Sequence, residues 1–192
     1  EGSLGHKYSP SQPRIPAGQT GGGQWTDGSG GASEARPKEP VIRESSKTEF
    51  TIYYPDGSTE TRSGGSRAWR NNNPGNIRSG KFADAHGAIG QAGGFAVFPD
   101  EETGLSASEA LLRGRRYSGL TIDEAVARRS PPNENDTSRA QVLIGQFSGL
   151  SGTLKINDLN AAELERLNRA IQRAEGFIPG KVSRTLPSKP KN

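Results

Sequence analysis

No hydrophobic period runs through the first 47 positions. Leu4, Tyr8, Ile15 and Trp25 stand far apart among Gly, Pro and Ser. Such a segment cannot bury enough apolar area to offset the entropy of ordering it. It predicts a flexible tail or linker over 1–47, with Trp25 as the anchor should the tail dock on a partner. From 48 to 63 the texture changes. Phe50, Ile52 and Tyr54 alternate with polar positions, and Pro55-Asp56-Gly57 supplies turn chemistry, which predicts a β-hairpin. An isolated hairpin is marginal, so it is expected to pack on the domain C-terminal to it. Asn71-Asn72-Asn73-Pro74-Gly75-Asn76-Ile77 is turn-rich, and Pro74-Gly75 suits a type II turn with glycine at positive φ. Residues 79–98 are Gly-rich and predict a loose loop or small hairpin closing on Phe95, Val97 and Phe98.

Helical signals dominate the rest. Ser106 to Glu109 supports one helix carrying Ala107, Leu111 and Leu112. Thr121 to Glu124 is a capping box, and its helix must stop before Pro131-Pro132. Asp136 is a candidate N-cap ahead of Val142, Leu143, Ile144 and Phe147. The last helix is the best specified. Asn160 and Glu163 form a capping box, Leu159 and Leu164 a hydrophobic staple, and Leu164, Leu167, Ile171 and Ala174 an apolar stripe. Gly176 closes it as a left-handed C′ residue, with Phe177 folding back onto Ile171. The prediction is a mostly α domain (α+β in detail) over 64–183, with the hairpin of 48–63 packed on it and residues 184–192 frayed.

Composition explains this unevenness. The 192 residues are only 30% hydrophobic and include 26 Gly and 13 Pro, too polar for a single core throughout. With no cysteine there is no disulfide framework and no thiol chemistry. His6 and His86 are the only histidines, which argues against a multi-histidine metal site, and no metal or cofactor is expected. No apolar run reaches the ~18 residues of a membrane span. The absence of an initiator Met and of a signal pattern suggests a piece of a longer product. The net charge of +4 is interspersed rather than clustered, so nucleic acid is not an expected partner.

One carboxylate breaks two local rules. Glu175 ends the last helix, where the macrodipole is negative. It also falls about 40° from Ile171 and about 20° from Leu164 on the helical wheel, on the apolar side. Both placements disfavour an ionised carboxylate, and a neutral carboxylic acid is what protonation of a glycosidic oxygen requires. The competing reading has Glu175 turn outward as the helix frays, or pair with Arg173 or Arg184.

The nonamer Arg70-Asn71-Asn72-Asn73-Pro74-Gly75-Asn76-Ile77-Arg78 resembles the RNNNPGN(I/L) signature of phage- and prophage-associated proteins with a lysozyme-like domain. Gly93-Gly94-Phe95-Ala96-Val97-Phe98, Gly104 and Pro131-Pro132-Asn133-Glu134-Asn135-Asp136-Thr137 extend the likeness over roughly 56–183. Peptidoglycan-cleaving enzymes of the lysozyme-like kind carry a catalytic Glu in a pattern like AIxxxEG(F/G), shortly before the Asn-rich segment. In this chain that pattern comes last, as Ala170-Ile171-Gln172-Arg173-Ala174-Glu175-Gly176-Phe177. The resemblance therefore implies a circularly permuted order, with Glu175 as general acid beside the Asn-rich turn in space. Asn72, Asn73 and Asn76 are candidate glycan-binding residues, Phe95 a sugar-stacking surface and Glu134 a further substrate contact. Turn scaffolding is the competing role for the asparagines. Asp84, Glu134 and Asp136 are candidates for a second carboxylate, which a lytic transglycosylase does not need.

These residues favour a peptidoglycan glycosidase, lysozyme or lytic transglycosylase, acting on bacterial peptidoglycan from a phage particle or as a toxin delivered to the periplasm. A non-enzymatic virion or secretion-system protein that binds glycan with the same cleft is the alternative. The tail would join either to other virion or secretion-apparatus proteins. The acidic run Asp100-Glu101-Glu102 suits a helix start better than a metal site.

Overall fold

A computed structural model describes residues 37–130 and 136–187. The predicted tail up to residue 36, including Trp25, and the stretch 131–135, including Glu134, lie outside the described residues. The expectation of a mostly α domain with one small hairpin is corrected. The fold is α+β, with about 40% helix and 21% strand and a four-stranded antiparallel sheet.

The sheet is built from β1 (Val41–Ser46), β2 (Glu49–Tyr53), β3 (Thr59–Ser63) and β6 (Lys181–Thr185), in the order β1-β2-β3-β6. The predicted hairpin is its centre. Phe50 pairs with Arg62 and Ile52 with Glu60, and the turn closes through Gly57 N–H to Tyr54 O at 2.9 Å with Gly57 at φ 82°. Two strands lie where tail and frayed end were expected. β1 occupies part of the predicted tail, and β6 crosses the predicted domain boundary at 183. Neither has a buried stripe: all of β6 is exposed, and in β1 only Ile42 joins the core. Their place is fixed by backbone pairing and by partners distant in sequence. Ile42 fills the space beside Gly90, where a Cβ would stand 2.8 Å from Ile42 Cδ1.

Between sheet and helices come α1 (Arg67–Arg70), α2 (Lys81–Ala85) and a two-stranded ribbon of β4 (Gly90–Ala92) and β5 (Phe95–Val97). The ribbon answers the small hairpin expected in the Gly-rich stretch. The short helix α2 was not expected there. It is held by the Phe82–His86 ring stack at 4.1 Å and by a 2.7 Å bond between His86 Nδ1 and Phe82 O.

Helices α3 (Glu101–Arg113), α4 (Ile122–Arg129), α5 (Thr137–Ser148) and α6 (Ala161–Ala174) complete the chain's larger elements. Asp100 caps α3, so that helix begins a turn earlier than Ser106. Capping boxes start α4 at Thr121/Glu124 and α6 at Asn160/Glu163, and Asp136 caps α5. Leu164, Leu167, Ala170 and Ile171 on α6 share one core with Leu112, Ile122, Val126, Ile144 and the staple residue Leu159. A second core joins Phe50, Ile52 and Tyr54 to Ile89, Ala92 and Val97, and a third gathers Ile77, Ala83, Ala96, Phe98 and Ala107. Leu111 packs against both the first and the third. Phe177 is half-buried and belongs to none of the three cores, so the expected contact with Ile171 does not form part of the packing. Among the described residues no helix is long and apolar enough to cross a membrane.

Candidate functional site

The end of α6 and the Asn-rich turn meet through backbone and side-chain clamps. Ser66 N–H donates to Ile178 O at 2.9 Å, and Ile178 N–H donates to Ser66 Oγ at 3.1 Å, the same hydroxyl that caps α1. Gly65 makes this crossing possible: at φ 58°, a Cβ there would stand 2.5 Å from Ile178 O. β6 then pairs with β3. The strand after Glu175 is thereby held beside the strand that leads into the asparagines.

Glu175 is the C-cap of α6, followed by Gly176 at φ 69° as the C′ residue. Its side chain is half-buried and lines a cleft of about 620 Å³ together with Asn76, Phe82, Phe95 and Tyr117. A smaller depression of about 280 Å³ lies alongside, and the two share Arg129, Ser130 and Glu175. Asp136 lines the smaller depression, with its Oδ1 accepting from Arg139 N–H as the α5 cap. Asp84 is exposed on α2 and lines neither.

The four asparagines divide by role. Asn71 Nδ2 donates to Ala92 O and Ala96 O at 3.2 and 3.3 Å. Asn73 is buried at 1% exposure, and its amide donates to Ile77 O and Ala96 O while Oδ1 accepts from Ile77 N–H. Asn72 Nδ2 donates to Phe98 O and Pro99 O. These three side chains are committed to the scaffold that carries β5 and the start of α3, and none lines the larger cleft. Asn76 is different. Its Nδ2 donates to Glu175 Oε2 at 2.6 Å.

The backbone that aims Asn76 differs from the expected type II turn. Asn76 N–H closes on Asn73 O at 2.9 Å, but Gly75 lies outside the left-handed region, and it is Asn76 that takes a positive φ of 44°. Asparagine tolerates that conformation better than most residues. Gly75 is required for another reason, since a Cβ there would stand 2.7 Å from Ser108 Oγ. On the other side of the turn, a Cβ at Gly104 would collide with the Asn72 carbonyl, so α3 packs directly on the turn backbone.

Phe95 does line the cleft, but the Arg67 guanidinium lies 3.6 Å from its ring centroid and that of Arg78 4.9 Å. Its ring supports guanidinium groups rather than presenting a bare stacking face. Arg67 Nε also points to Asn76 Oδ1 at 3.5 Å, so Asn76 faces a cation with its carbonyl and a carboxylate with its amide. Arg129 Nη2 donates to Gly75 O at 2.5 Å, tying α4 to the turn. Among the described residues no group of three or more His, Asp or Glu gathers as a metal site would need. The wheel position and helix end singled out Glu175 in the sequence. The arginines carried no such signal, because they are spread from position 67 to 129 and converge only in the fold.

Chemically, the arrangement holds one carboxyl oxygen on a fixed amide donor at the wall of the cleft, and the other has no hydrogen-bond partner among the described residues. No family model matches the chain, and no curated protein matches it in sequence.

Proposed function

We propose that the cleft takes a peptidoglycan glycan strand and that Glu175 donates the proton that opens its glycosidic bond, in the manner of a lysozyme or a lytic transglycosylase. The observation that carries this reading is the 2.6 Å contact of Asn76 Nδ2 with Glu175 Oε2 on the wall of a cleft of about 620 Å³. With Oε2 held by the amide, the proton leaves from Oε1 to the glycosidic oxygen, and the C1–O bond breaks with its electron pair passing to the leaving sugar. The oxocarbenium-like centre is then closed by water or by a hydroxyl of the same sugar, whose proton returns to the carboxylate. Glu175 sits where the two depressions adjoin, which suits a polymer with units on both sides of the cleaved bond.

The order of elements supports a permuted arrangement of the lysozyme-like motif. The helix ending in Ala174-Glu175-Gly176-Phe177 comes after the Asn-rich turn in sequence, yet its last residue touches that turn. By the resemblance of Arg70 to Arg78, the setting would be a phage particle or a toxin delivered to the periplasm, with other virion or secretion-apparatus proteins as partners. The test is turbidity loss of purified murein. Clearing by the wild-type chain, abolished in Glu175→Gln, is the expected result, and equal clearing by the variant sinks the assignment. Products one water lighter than simple hydrolysis products would assign the transglycosylase course. Retention on murein without release of soluble fragments would assign a glycan-binding role instead.

A further inference from the structure

Basic residues are interspersed along the sequence, but they are not evenly spread in space. Arg67, Arg78, Arg116, Arg128 and Arg129 converge on the cleft, with Glu175 the one carboxylate among its described lining residues. Elsewhere arginines sit against acids: Arg62 and Arg184 on Glu60, Arg113 on Glu109 and Arg169 on Glu165. None of the five cleft arginines makes such an ion pair among the described residues. Glu124, one turn before Arg128, is bonded instead to the Thr121 cap. Neutral groups place the five arginines. Arg129 donates to Gly75 O and Arg128 to Arg116 O, Arg67 and Arg78 lie over Phe95, and Arg116 lies over Tyr117. A carbonyl or a ring face orients a guanidinium without cancelling its charge. Five such cations about one concavity repel one another, and a polyanion relieves that repulsion.

We infer that the cleft binds a single-stranded nucleic acid by its phosphates. A phosphodiester strand carries one negative charge per unit along a flexible line, and each phosphate offers two free oxygens to the fork of a guanidinium. The rings on which bases could stack are already taken, Phe95 by Arg67 and Arg78 and the buried Tyr117 by Arg116. Recognition therefore falls to the backbone, with no preference for base sequence. A concavity of about 620 Å³ receives a strand laid along it, whereas a duplex presents a convex surface. The binding does not rest on the glycan-cleaving reading of the cleft and adds a second class of ligand to it. Where that reading holds, a bound strand lies over Glu175 and shuts the glycan out.

The experiment titrates the full chain with three labelled strands of equal charge: a single-stranded oligodeoxynucleotide of mixed sequence, the same backbone without bases, and poly-glutamate. The two phosphodiester strands are expected to bind alike, and both more tightly than the polycarboxylate. With five phosphates engaged at about −0.7 each, log K should fall against log salt with a slope of about −3.5. Arg78→Gln together with Arg116→Gln should flatten that slope by about 1.4, while Arg78→Lys with Arg116→Lys keeps it. Both side chains are exposed, so the thermal midpoint should stay near that of the wild type and separate lost charge from lost fold. A slope near zero, a slope that the Gln pair leaves unchanged, or poly-glutamate binding as tightly as the phosphodiesters overturns the inference. So does weaker binding of the baseless strand, which would assign recognition to the bases. Glu175→Gln should bind the strand at least as tightly as the wild type, because that carboxylate faces phosphate as a like charge. Loss of strand binding in that variant would take the ligand away from the arginines and sink the proposal. Murein clearing is measured separately: strand binding without clearing leaves this inference standing alone, and clearing without strand binding leaves only the glycan reading.

Discussion

The Asn76 amide donates to the Glu175 carboxylate at 2.6 Å across a sequence separation of 99. Asn76 meets it from a left-handed backbone, φ 44°, which makes two substitutions informative. Asn76→Gly keeps the conformation and removes only the amide. The bond is already made in the free protein, so its loss should lower folding stability by about 1.5–3 kcal/mol, and with the carboxyl group no longer held in place murein clearing should slow by up to about a hundredfold. Asn76→Ala loses the same amide and also places a Cβ in the left-handed region, at a further cost in stability of about 1–2 kcal/mol. Full clearing by Asn76→Gly would show that the amide does not position the proton donor.

Glu175 caps α6 at the negative end of the helix dipole. Glu175→Gln removes the acidic group and keeps an oxygen able to accept from Asn76. Folding stability should therefore stay within about 1 kcal/mol of the wild type, while a general acid's contribution of at least ~10²-fold in rate is lost. Thermal melts and clearing rates on the same preparation separate the two effects. A variant that melts well below the wild type would identify Glu175 as a structural residue.

Two glycines should respond very differently to alanine. At Gly104 the new methyl would run into the Asn72 carbonyl, which is backbone and has no rotamer by which to retreat. The collision separates α3 from the Asn-rich turn, so Gly104→Ala should cost at least about 2–3 kcal/mol and reduce clearing as well. Gly149, the left-handed C-cap of α5 at φ 69°, has open space where its Cβ would go. Gly149→Ala should cost only about 1 kcal/mol, the price of the backbone conformation. Urea unfolding midpoints of the two variants check the contrast.

How much could be read ahead of the structure depends on how local each determinant is. The capping boxes of α4 and α6, the staple Leu159/Leu164 and the alternation Phe50-Ile52-Tyr54 are patterns within a few residues, and they place those elements correctly. β1 and β6 escape such reading because exposed edge strands carry no stripe, and their positions depend on pairing with β2 and β3. For that reason a helical reading of the chain understated the sheet. At the site, Glu175 announced itself by conflict with its own helix. The asparagines did not, since one residue type serves backbone scaffolding at positions 71, 72 and 73 and a carboxylate at 76. Only the register of the turn separates those roles, and its departure from type II moved the left-handed residue from Gly75 to Asn76.

Tyr54 gives the fold a signature at alkaline pH. Its ring is buried in the sheet core, and its hydroxyl finds no hydrogen-bond partner among the described residues. Burial foremost, and then the nearby Glu60 carboxylate, push the phenol up from 10.0 to about 12, against the opposing pull of Arg62 and Arg184. Below pH 10 the phenol is protonated in both the folded and the unfolded chain and adds no pH dependence. Between about 10 and 12 the unfolded chain releases this proton while the folded chain keeps it, so stability falls as pH rises, by on the order of 3 kcal/mol at most. Tyr54→Phe removes the titrating group and leaves no partner stranded, so near neutral pH it should change stability by less than about 1 kcal/mol. Urea midpoints of the two proteins should therefore nearly coincide at neutral pH and diverge above pH 10, with the variant the more stable at the alkaline end. Other tyrosines and the lysines titrate alike in both chains and cancel in the difference. Parallel curves up to the alkaline limit would mean that the Tyr54 phenol ionises as readily in the folded chain as in the unfolded one.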